Sequence, residues 1–150
     1  MAVVQRILVP VDFSSRSEAA LDHALTLAQA LGASITLLHV AQPPPSMSGI
    51  VPGSDDDDRA ARDAVQHSLD QLVARAKSRG FQQIDARIES GLPIEVILDT
   101  AREGGFQMIA MATRGRTGLR RLIIGSVTEG VLRHAACPVV TLHLPENEGD

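Results

Sequence analysis

The sequence of 150 residues predicts an α/β fold, in which an open five-stranded parallel sheet carries helices on both faces. Short apolar runs recur along the chain, at 6–12, 34–40, 84–89, 108–112 and 139–142. Between these runs, apolar residues repeat with the period of a helix, and glycine or proline marks many of the boundaries. Strands that alternate with helices form parallel sheets through right-handed crossovers, so we expect one domain spanning residues 1–150.

The first strand and the first helix have clear boundaries in the sequence. Residues 6–12 form a nearly continuous apolar run, which is typical of a parallel strand buried on both faces. Ser14, Ser15 and Ser17 can each cap the helix that follows, and Gly32 can end it in the left-handed conformation. The apolar residues with helical spacing are Leu21, Ala24, Leu25, Ala28 and Leu31.

The second strand, at 34–40, leads into a proline-rich loop that we expect to be flexible over residues 41–55. Acidic residues 55–58 then begin a second helix, because negative charge suits the positive end of the helix dipole, and Gly80 ends that helix. The third strand, at 84–89, alternates apolar and polar residues, which is typical of an edge strand.

The carboxyl-terminal half of the chain continues the alternation. Residues 91–93 turn the chain into a third helix, which Gly104 and Gly105 end before the fully apolar fourth strand. The apolar residues that mark the fourth helix are Val127, Val131, Leu132 and Ala135. After the fifth strand, we expect residues 145–150 to form a mobile tail.

Composition and charge exclude several classes of function. The net charge of −4 and the low aromatic content, three Phe with neither Tyr nor Trp, argue against a nucleic-acid-binding protein. No apolar run approaches the roughly 20 residues that cross a bilayer, and no signal peptide begins the chain, so we expect no membrane contact. The single cysteine, Cys137, suits the cytoplasm, and we expect it to be a buried small residue.

Parallel sheets of this kind bind ligands beyond the carboxyl ends of their strands, where the strand order reverses. The candidate binding segments therefore follow strands one, two and four, at 10–14, from 40 onward and at 112–126. The last segment leaves an apolar strand, crosses a glycine-bearing loop and enters a helix at Gly125 and Ser126. Because amides at such a loop and helix start favour phosphate, we predict an anionic ligand.

Four arginines in the same loop favour this prediction, since they are concentrated on an otherwise acidic chain. They are Arg114, Arg116, Arg120 and Arg121. The alternative from residue types alone is that these arginines form a solvated face and that the glycines only make turns. Neither a Walker-type Gly-Lys-Ser sequence nor a complete Gly-x-Gly-x-x-Gly follows any of the strands.

Taken together, the motifs of this chain resemble those of the universal stress protein family, in its small single-domain form. The matching segments are ILVPVDFS at 7–14, LLHV at 37–40, GLP at 91–93, RGRTG at 114–118, GSV at 125–127 and HAACPV at 134–139. Nucleotide-binding members of the family carry Gly-x-x-Gly, nine residues and then Gly-Ser or Gly-Thr. Here nine residues, 116–124, separate Gly115 from Gly125. The resemblance implies a Rossmann-like sheet with strand order 3-2-1-4-5 and ATP as the ligand.

The resemblance also implies which residues bind ATP and an accompanying Mg²⁺ ion. Asp12 would meet the ribose and the metal, and Val11 and Val40 would contact the adenine. The phosphates would be contacted by Gly115, Gly125, Ser126, Val127 and Thr128, with Arg114 beside them. The other predicted binding residues lie where strands one and four end, and they are Pro10, Met111 and Ala112. From residue types alone, Asp12 could instead cap the turn through Ser14 and Ser15.

The sequence departs from the family pattern at two positions. Ala112 stands where the pattern has its first glycine. Alanine can adopt a positive φ only with strain, and it adds a methyl group near the ligand. A second interpretation is therefore an interaction module that binds no nucleotide. Gln107 stands where the family often has Asp before the fourth strand, and we interpret it as a surface change.

The resemblance further implies a homodimeric stress-response regulator with an unidentified protein partner. The dimer would pair through the last strand, whose residues are Val139, Val140, Thr141 and Leu142. No catalytic residue is predicted, because neither a general base nor a lysine in the loop can be named. A slow ATPase, or a kinase that acts on its own Ser126 or Thr128, is the third interpretation.

Overall fold

The protein, described by a computed structural model over residues 3–42, 55–113 and 125–143, is built from alternating strands and helices. The strands are β1 (Arg6–Pro10), β2 (Ser34–Ala41), β3 (Ile84–Ser90), β4 (Met108–Ala112) and β5 (Val139–Leu142). The helices are α1 (Ser15–Leu31), α2 (Asp55–Ser78), α3 (Pro93–Glu103) and α4 (Ser126–His134). In these residues the five strands form one parallel sheet in the order β3-β2-β1-β4-β5, which confirms the predicted fold class and strand order.

The ends of α1 show why local sequence predicts the helices well. The Ser14 hydroxyl accepts a hydrogen bond from the Ser17 amide at 3.1 Å and so caps the first turn. Gly32 ends the helix with φ 68°, a left-handed conformation that glycine adopts without steric cost. Pro93 occupies the first turn of α3, where its missing N–H leaves no helical hydrogen bond unmade.

Two apolar clusters pack against opposite faces of the sheet. Along β1, Ile7 and Val9 belong to the cluster that includes residues of α1 and α2, whereas Leu8 belongs to the cluster that includes residues of α3 and α4. Successive side chains of a strand point to opposite faces, so a strand covered on both sides needs apolar residues at every position. This explains the continuous apolar runs of the central strands.

Several details differ from the sequence-based expectations. The first strand ends at Pro10 rather than at residue 12, because the chain turns at Asp12 to enter α1. Leu31 and Leu132 follow the helical periodicity, yet they are 42% and 40% exposed and lie in the last turns of their helices. Cys137 is half-buried rather than buried, and burial raises the pKa of its thiol.

Gln107 is more than a surface change. Its Oε1 accepts hydrogen bonds from the amides of Gln5 and Arg6 at 3.1 and 2.9 Å, and its Nε2 donates to the Gly105 carbonyl at 2.8 Å. The side chain therefore ties the start of β1 to the chain that leads into β4. An aspartate at this position could accept from the same amides but could not donate to a carbonyl.

Two predicted segments are described only in part or not at all. Of the proline-rich loop at 41–55, residues 43–54 lie outside the described residues, while Ala41 ends β2 and Asp55 begins α2. The predicted tail at 145–150 also lies outside them. Among the helices of the described part, none combines the length and the apolar character that crossing a membrane requires.

Candidate functional site

A cleft of about 300 Å³ opens at the carboxyl ends of β1, β2 and β4, next to the start of α4. This is the edge where parallel sheets bind ligands. Because β2 and β4 lie on opposite sides of β1, the strand order reverses at this point of the sheet. Every predicted binding residue within the described ranges lines this cleft: Pro10, Val11, Asp12, Val40, Met111, Ala112, Gly125, Ser126, Val127 and Thr128. Arg114 and Gly115 lie outside the described residues.

One part of the cleft wall is apolar. Val11, Leu38 and Ile97 are buried, and Val40 and Met111 stand beside them. Aliphatic side chains of this kind can cover the flat face of a ring by dispersion contact and exclude water from it. The wall therefore suits a planar, uncharged group such as a nucleobase.

Asp12 closes the turn between β1 and α1. Its Oδ1 accepts hydrogen bonds from the amide of Ser14 at 3.0 Å and from the hydroxyl of Ser14 at 2.5 Å. Burial raises the pKa of the Asp12 carboxyl, but the hydrogen bonds from Ser14 and Ser17 outweigh it, so the net pKa lies below the ordinary value. Asp12 is thus anionic at neutral pH, and it caps the turn through Ser14 as the alternative interpretation proposed.

The turn after Asp12 places a phenylalanine in an unusual conformation. Phe13 has φ 63°, and it is the one residue other than glycine with a positive φ in the described part of the chain. This conformation costs about 1–2 kcal/mol for a residue with a Cβ. The Phe13 ring stacks on His39 with 4.8 Å between centroids and a 30° interplanar angle, a contact worth about 1 kcal/mol. The strain is therefore opposed by contacts to β2.

The first turn of α4 faces the same cleft. The Gly125 amide donates to the Thr113 carbonyl at 2.6 Å, and the Glu129 amide makes the first helical bond, to Gly125. Between them, the amides of residues 126–128 have no hydrogen-bond acceptor among the described residues. Unpaired amides at a helix start, together with the helix dipole, attract an anion.

The hydroxyl of Thr128 is already engaged within the protein. It is buried and donates to the Ala112 carbonyl at 2.9 Å, so its proton is not available to a ligand in this arrangement. Ser126 is an exposed residue that lines the cleft, and no side-chain hydrogen bond from Gly125 caps this end of the helix. The anion-binding capacity of α4 therefore lies mainly in its backbone amides.

Ala112 occupies its position without backbone strain. It is the last residue of β4 and has a negative φ, so the conformational freedom of glycine is not needed there. Ala112 does line the cleft. The structure therefore removes the conformational objection to Ala112 and leaves the size of the side chain as the difference from glycine.

Acidic groups do not cluster at the cleft. Over residues 3–42, 55–113 and 125–143, no three His, Cys, Asp or Glu side chains converge as metal ligands. A Mg²⁺ ion commonly uses one or two carboxylates and completes its shell with phosphate oxygens and water. Asp12 fits such a role only beside a phosphorylated ligand.

Comparison with known proteins places the chain in a family. The model of the universal stress protein family matches residues 4–143. The chain belongs to the universal stress protein family. Universal stress protein YxiE of Bacillus subtilis is 30% identical over 142 residues, which cover 90% of this chain and 96% of that protein. Among solved structures, universal stress protein UspA from Lactobacillus plantarum is 26% identical with a TM-score of 0.79, over 95% of this chain and 99% of that one.

Two other solved universal stress proteins contain adenine nucleotides. One is a complex with cAMP, 22% identical with a TM-score of 0.72, over 95% of this chain and 98% of that one. The other, from Archaeoglobus fulgidus, is a complex with dAMP, 22% identical with a TM-score of 0.67, over 93% and 98% of the two chains. At this identity, the likeness establishes a shared fold.

Sequence reasoning missed several residues of the cleft in this universal stress protein. They are Ser17, Leu38, His39, Pro93 and Ile97, whereas Gln42, which also lines the cleft, falls within the candidate segment from 40 onward. His39 was not predicted as a binding residue, although it precedes Val40 in β2 and so lies near the same edge of the sheet. Pro93 and Ile97 belong to α3, whose packing over the sheet no local pattern specifies.

Proposed function

We propose that this universal stress protein binds an adenine nucleotide, with ATP as the first candidate, and that occupancy of the cleft regulates its association with a protein partner in the cytoplasm. The main support for the proposal is that an apolar wall and a set of backbone amides line the same cleft. An apolar wall at Val11 and Val40 suits the base, and the amides at residues 126–128, for which the described part of the chain offers no acceptor, suit the phosphates. The anionic Asp12 can accept hydrogen bonds from ribose hydroxyls or hold Mg²⁺ beside the phosphates.

The relatives support the choice of adenine. The universal stress proteins solved with cAMP and with dAMP carry adenine in the same overall fold. ATP is preferred over these monophosphates because the arginine-containing segment 114–124 lies in the sequence between β4 and α4. Its cations would suit the additional negative charge of a triphosphate.

The decisive experiment measures nucleotide binding directly. The purified protein is denatured and the released small molecules are chromatographed, and the nucleotide-free protein is titrated calorimetrically with ATP, ADP, AMP, cAMP and GTP. We expect adenine nucleotides to bind more tightly than GTP and to raise the melting temperature by mass action. No released nucleotide, together with no heat of binding and no thermal shift at millimolar ATP, would contradict the proposal.

A pair of variants at one position isolates the backbone amide. Ser126→Pro removes the first amide of α4, and proline fits there because Gly125 has φ −58° and ψ 153°, the extended conformation that precedes proline. Ser126→Ala keeps the amide and removes only the hydroxyl. We expect the proline variant to bind ATP about tenfold more weakly, the effect of losing one hydrogen bond to a charged group, and the alanine variant to change far less.

The homodimer is a further part of the proposal. β5 is an edge strand with half-buried residues throughout, and the carbonyls of Pro138 and Leu142 accept from amides of the chain at β4. The backbone N–H and C=O groups of successive residues in a strand point alternately to its two sides. Those of Val139 and Thr141 therefore point away from β4 and can pair with a second copy of the chain. Thr141→Pro should shift the protein from dimer to monomer in light scattering, while Thr141→Val should not.

The calorimetric titration, together with light scattering, distinguishes this proposal from an interaction module that binds no nucleotide. A stable dimer that binds none of the five nucleotides, before and after Ala112→Gly, would favour an interaction module over a nucleotide-dependent regulator. Hydrolysis of ATP above the buffer rate, lost in Asp12→Ala, would instead favour the enzymatic interpretation.

A further inference from the structure

The imidazole of His39 connects β2 to the turn that carries Asp12. Its Nδ1 lies 3.0 Å from the Val11 carbonyl oxygen, and its ring stacks on Phe13. Val11 and Phe13 are the two chain neighbours of Asp12. We infer that His39 is a positioning residue for the nucleotide: it holds the turn that presents the Asp12 carboxylate to the cleft. This role rests on the proposed function.

The hydrogen bond of His39 fixes the peptide group that precedes Asp12. The Val11 carbonyl can only accept, so Nδ1 of His39 carries the proton. The nitrogen of the same peptide group belongs to Asp12 and donates to Ser17 Oγ at 3.3 Å. Both ends of this peptide plane are therefore held, one from β2 and the other from α1.

The stacking contact fixes the residue after Asp12. Phe13 is held at φ 63°, in a region that residues with a Cβ leave when nothing restrains them. Its ring packs on His39 and against the apolar cluster beneath α1 and α2. Without the imidazole, the turn loses one of the contacts that keep Phe13 from returning to a negative φ. When the φ of Phe13 changes, the direction of the Asp12 side chain changes too.

Three substitutions at His39 separate its two contacts. Asn can donate to the Val11 carbonyl but cannot stack, Phe can stack but cannot donate, and Ala can do neither. In calorimetric titrations we expect His39→Ala to bind ATP about tenfold more weakly than the native protein, and Asn and Phe each to recover part of the affinity. His23→Ala, at an exposed histidine of α1, is the matched control and should bind ATP normally.

A second background tests whether His39 acts through the turn. Glycine adopts a positive φ without penalty, so Phe13→Gly removes the strain that the imidazole opposes. In that background, His39→Ala should lower the ATP affinity by a clearly smaller factor than in the native protein. An equal loss in both backgrounds would show that the effect of His39 does not pass through Phe13, and it would overturn the part of the positioning role that the stacking contact supplies.

A measurement without nucleotide keeps the inference separate from the proposed function. Hydrogen exchange at the amides of Asp12 and Ser14, followed by NMR, should be faster in His39→Ala and partly slowed again in His39→Asn. If the native protein binds no nucleotide, the proposed function fails, while this exchange still decides whether His39 holds the turn. Native exchange rates in His39→Ala would overturn the inference.

Discussion

The hydroxyl of Thr128 donates a hydrogen bond to the carbonyl oxygen of Ala112 across 2.9 Å, joining the first turn of α4 to the end of β4. Sixteen positions of sequence separate the two residues, and the glycine-containing motif segment of the sequence lies between them. The bond therefore holds the amides at the start of α4 at a defined place relative to the sheet.

Thr128→Val should loosen the start of α4. The substitution keeps the shape of the buried side chain but removes the donor to Ala112, which should lower the free energy of unfolding by about 1–3 kcal/mol. Hydrogen exchange at the Glu129 amide should accelerate. Thr128→Ser keeps the hydroxyl and loses one methyl group, so it should leave this exchange rate nearly unchanged. Equal exchange in the Val variant and the native protein would contradict the prediction.

Ala112→Gly should not improve nucleotide affinity greatly. The native φ at this position is negative, so glycine brings no conformational benefit, and only the methyl group is removed from the cleft. We expect the dissociation constant for ATP to change by less than about threefold and the free energy of unfolding to fall by about 0.5–1 kcal/mol. ATP binding that appears only in the glycine variant would show that the methyl group blocks the cleft.

Asp12→Asn should remove a pH-dependent contribution to stability. Because the folded-state pKa of Asp12 is lowered, its contribution is fully present above the unfolded-state pKa of about 3.9 and is lost as the pH falls through the folded-state value. In urea unfolding at neutral pH, the variant should be less stable by about 1–2 kcal/mol. This difference should shrink as the pH falls below the unfolded-state pKa and should vanish once the pH lies below the lowered folded-state pKa.

The control for this titration is Asp99, whose carboxylate pairs with Arg102 at 2.8 Å in an exposed position on α3. Asp99→Asn should change the free energy of unfolding by no more than about 0.5 kcal/mol at neutral pH. A difference for Asp12→Asn that stays constant from neutral to acid pH would contradict the role of the charged form.

Gly104→Ala should destabilise the protein because the position has no room for a side chain. A Cβ there would lie 2.5 Å from the buried Phe106 ring and 2.9 Å from the Thr100 carbonyl oxygen. We expect a loss of about 1–3 kcal/mol in the free energy of unfolding. Gly32→Ala is the comparison: its Cβ would meet nothing within 4 Å, and it should lose only the cost of a left-handed alanine, about 1 kcal/mol.

The candidate site was predictable where it depends on strand ends. Asp12, Val40 and Ala112 are the last residues of three apolar runs. Parallel strands bring their carboxyl ends to one edge, so the convergence of these residues in the cleft follows from the strand pattern. Ile97 could not be placed in the same way. It lies inside α3, and which helix face meets the sheet depends on how α3 packs against β2 and α4.

The amino-acid sequence by itself determined which segments form helices or strands and where most of them end. The spacing of apolar residues and capping residues such as Ser14 and Gly32 act within a few positions of the chain. The tertiary structure alone decided what joins elements that are distant in sequence. The bond between His39 and Val11 spans 28 positions, and the bond between Gln107 and Gln5 spans 102. Both side chains have several possible partners, and only the packed sheet brings one of them within hydrogen-bond distance.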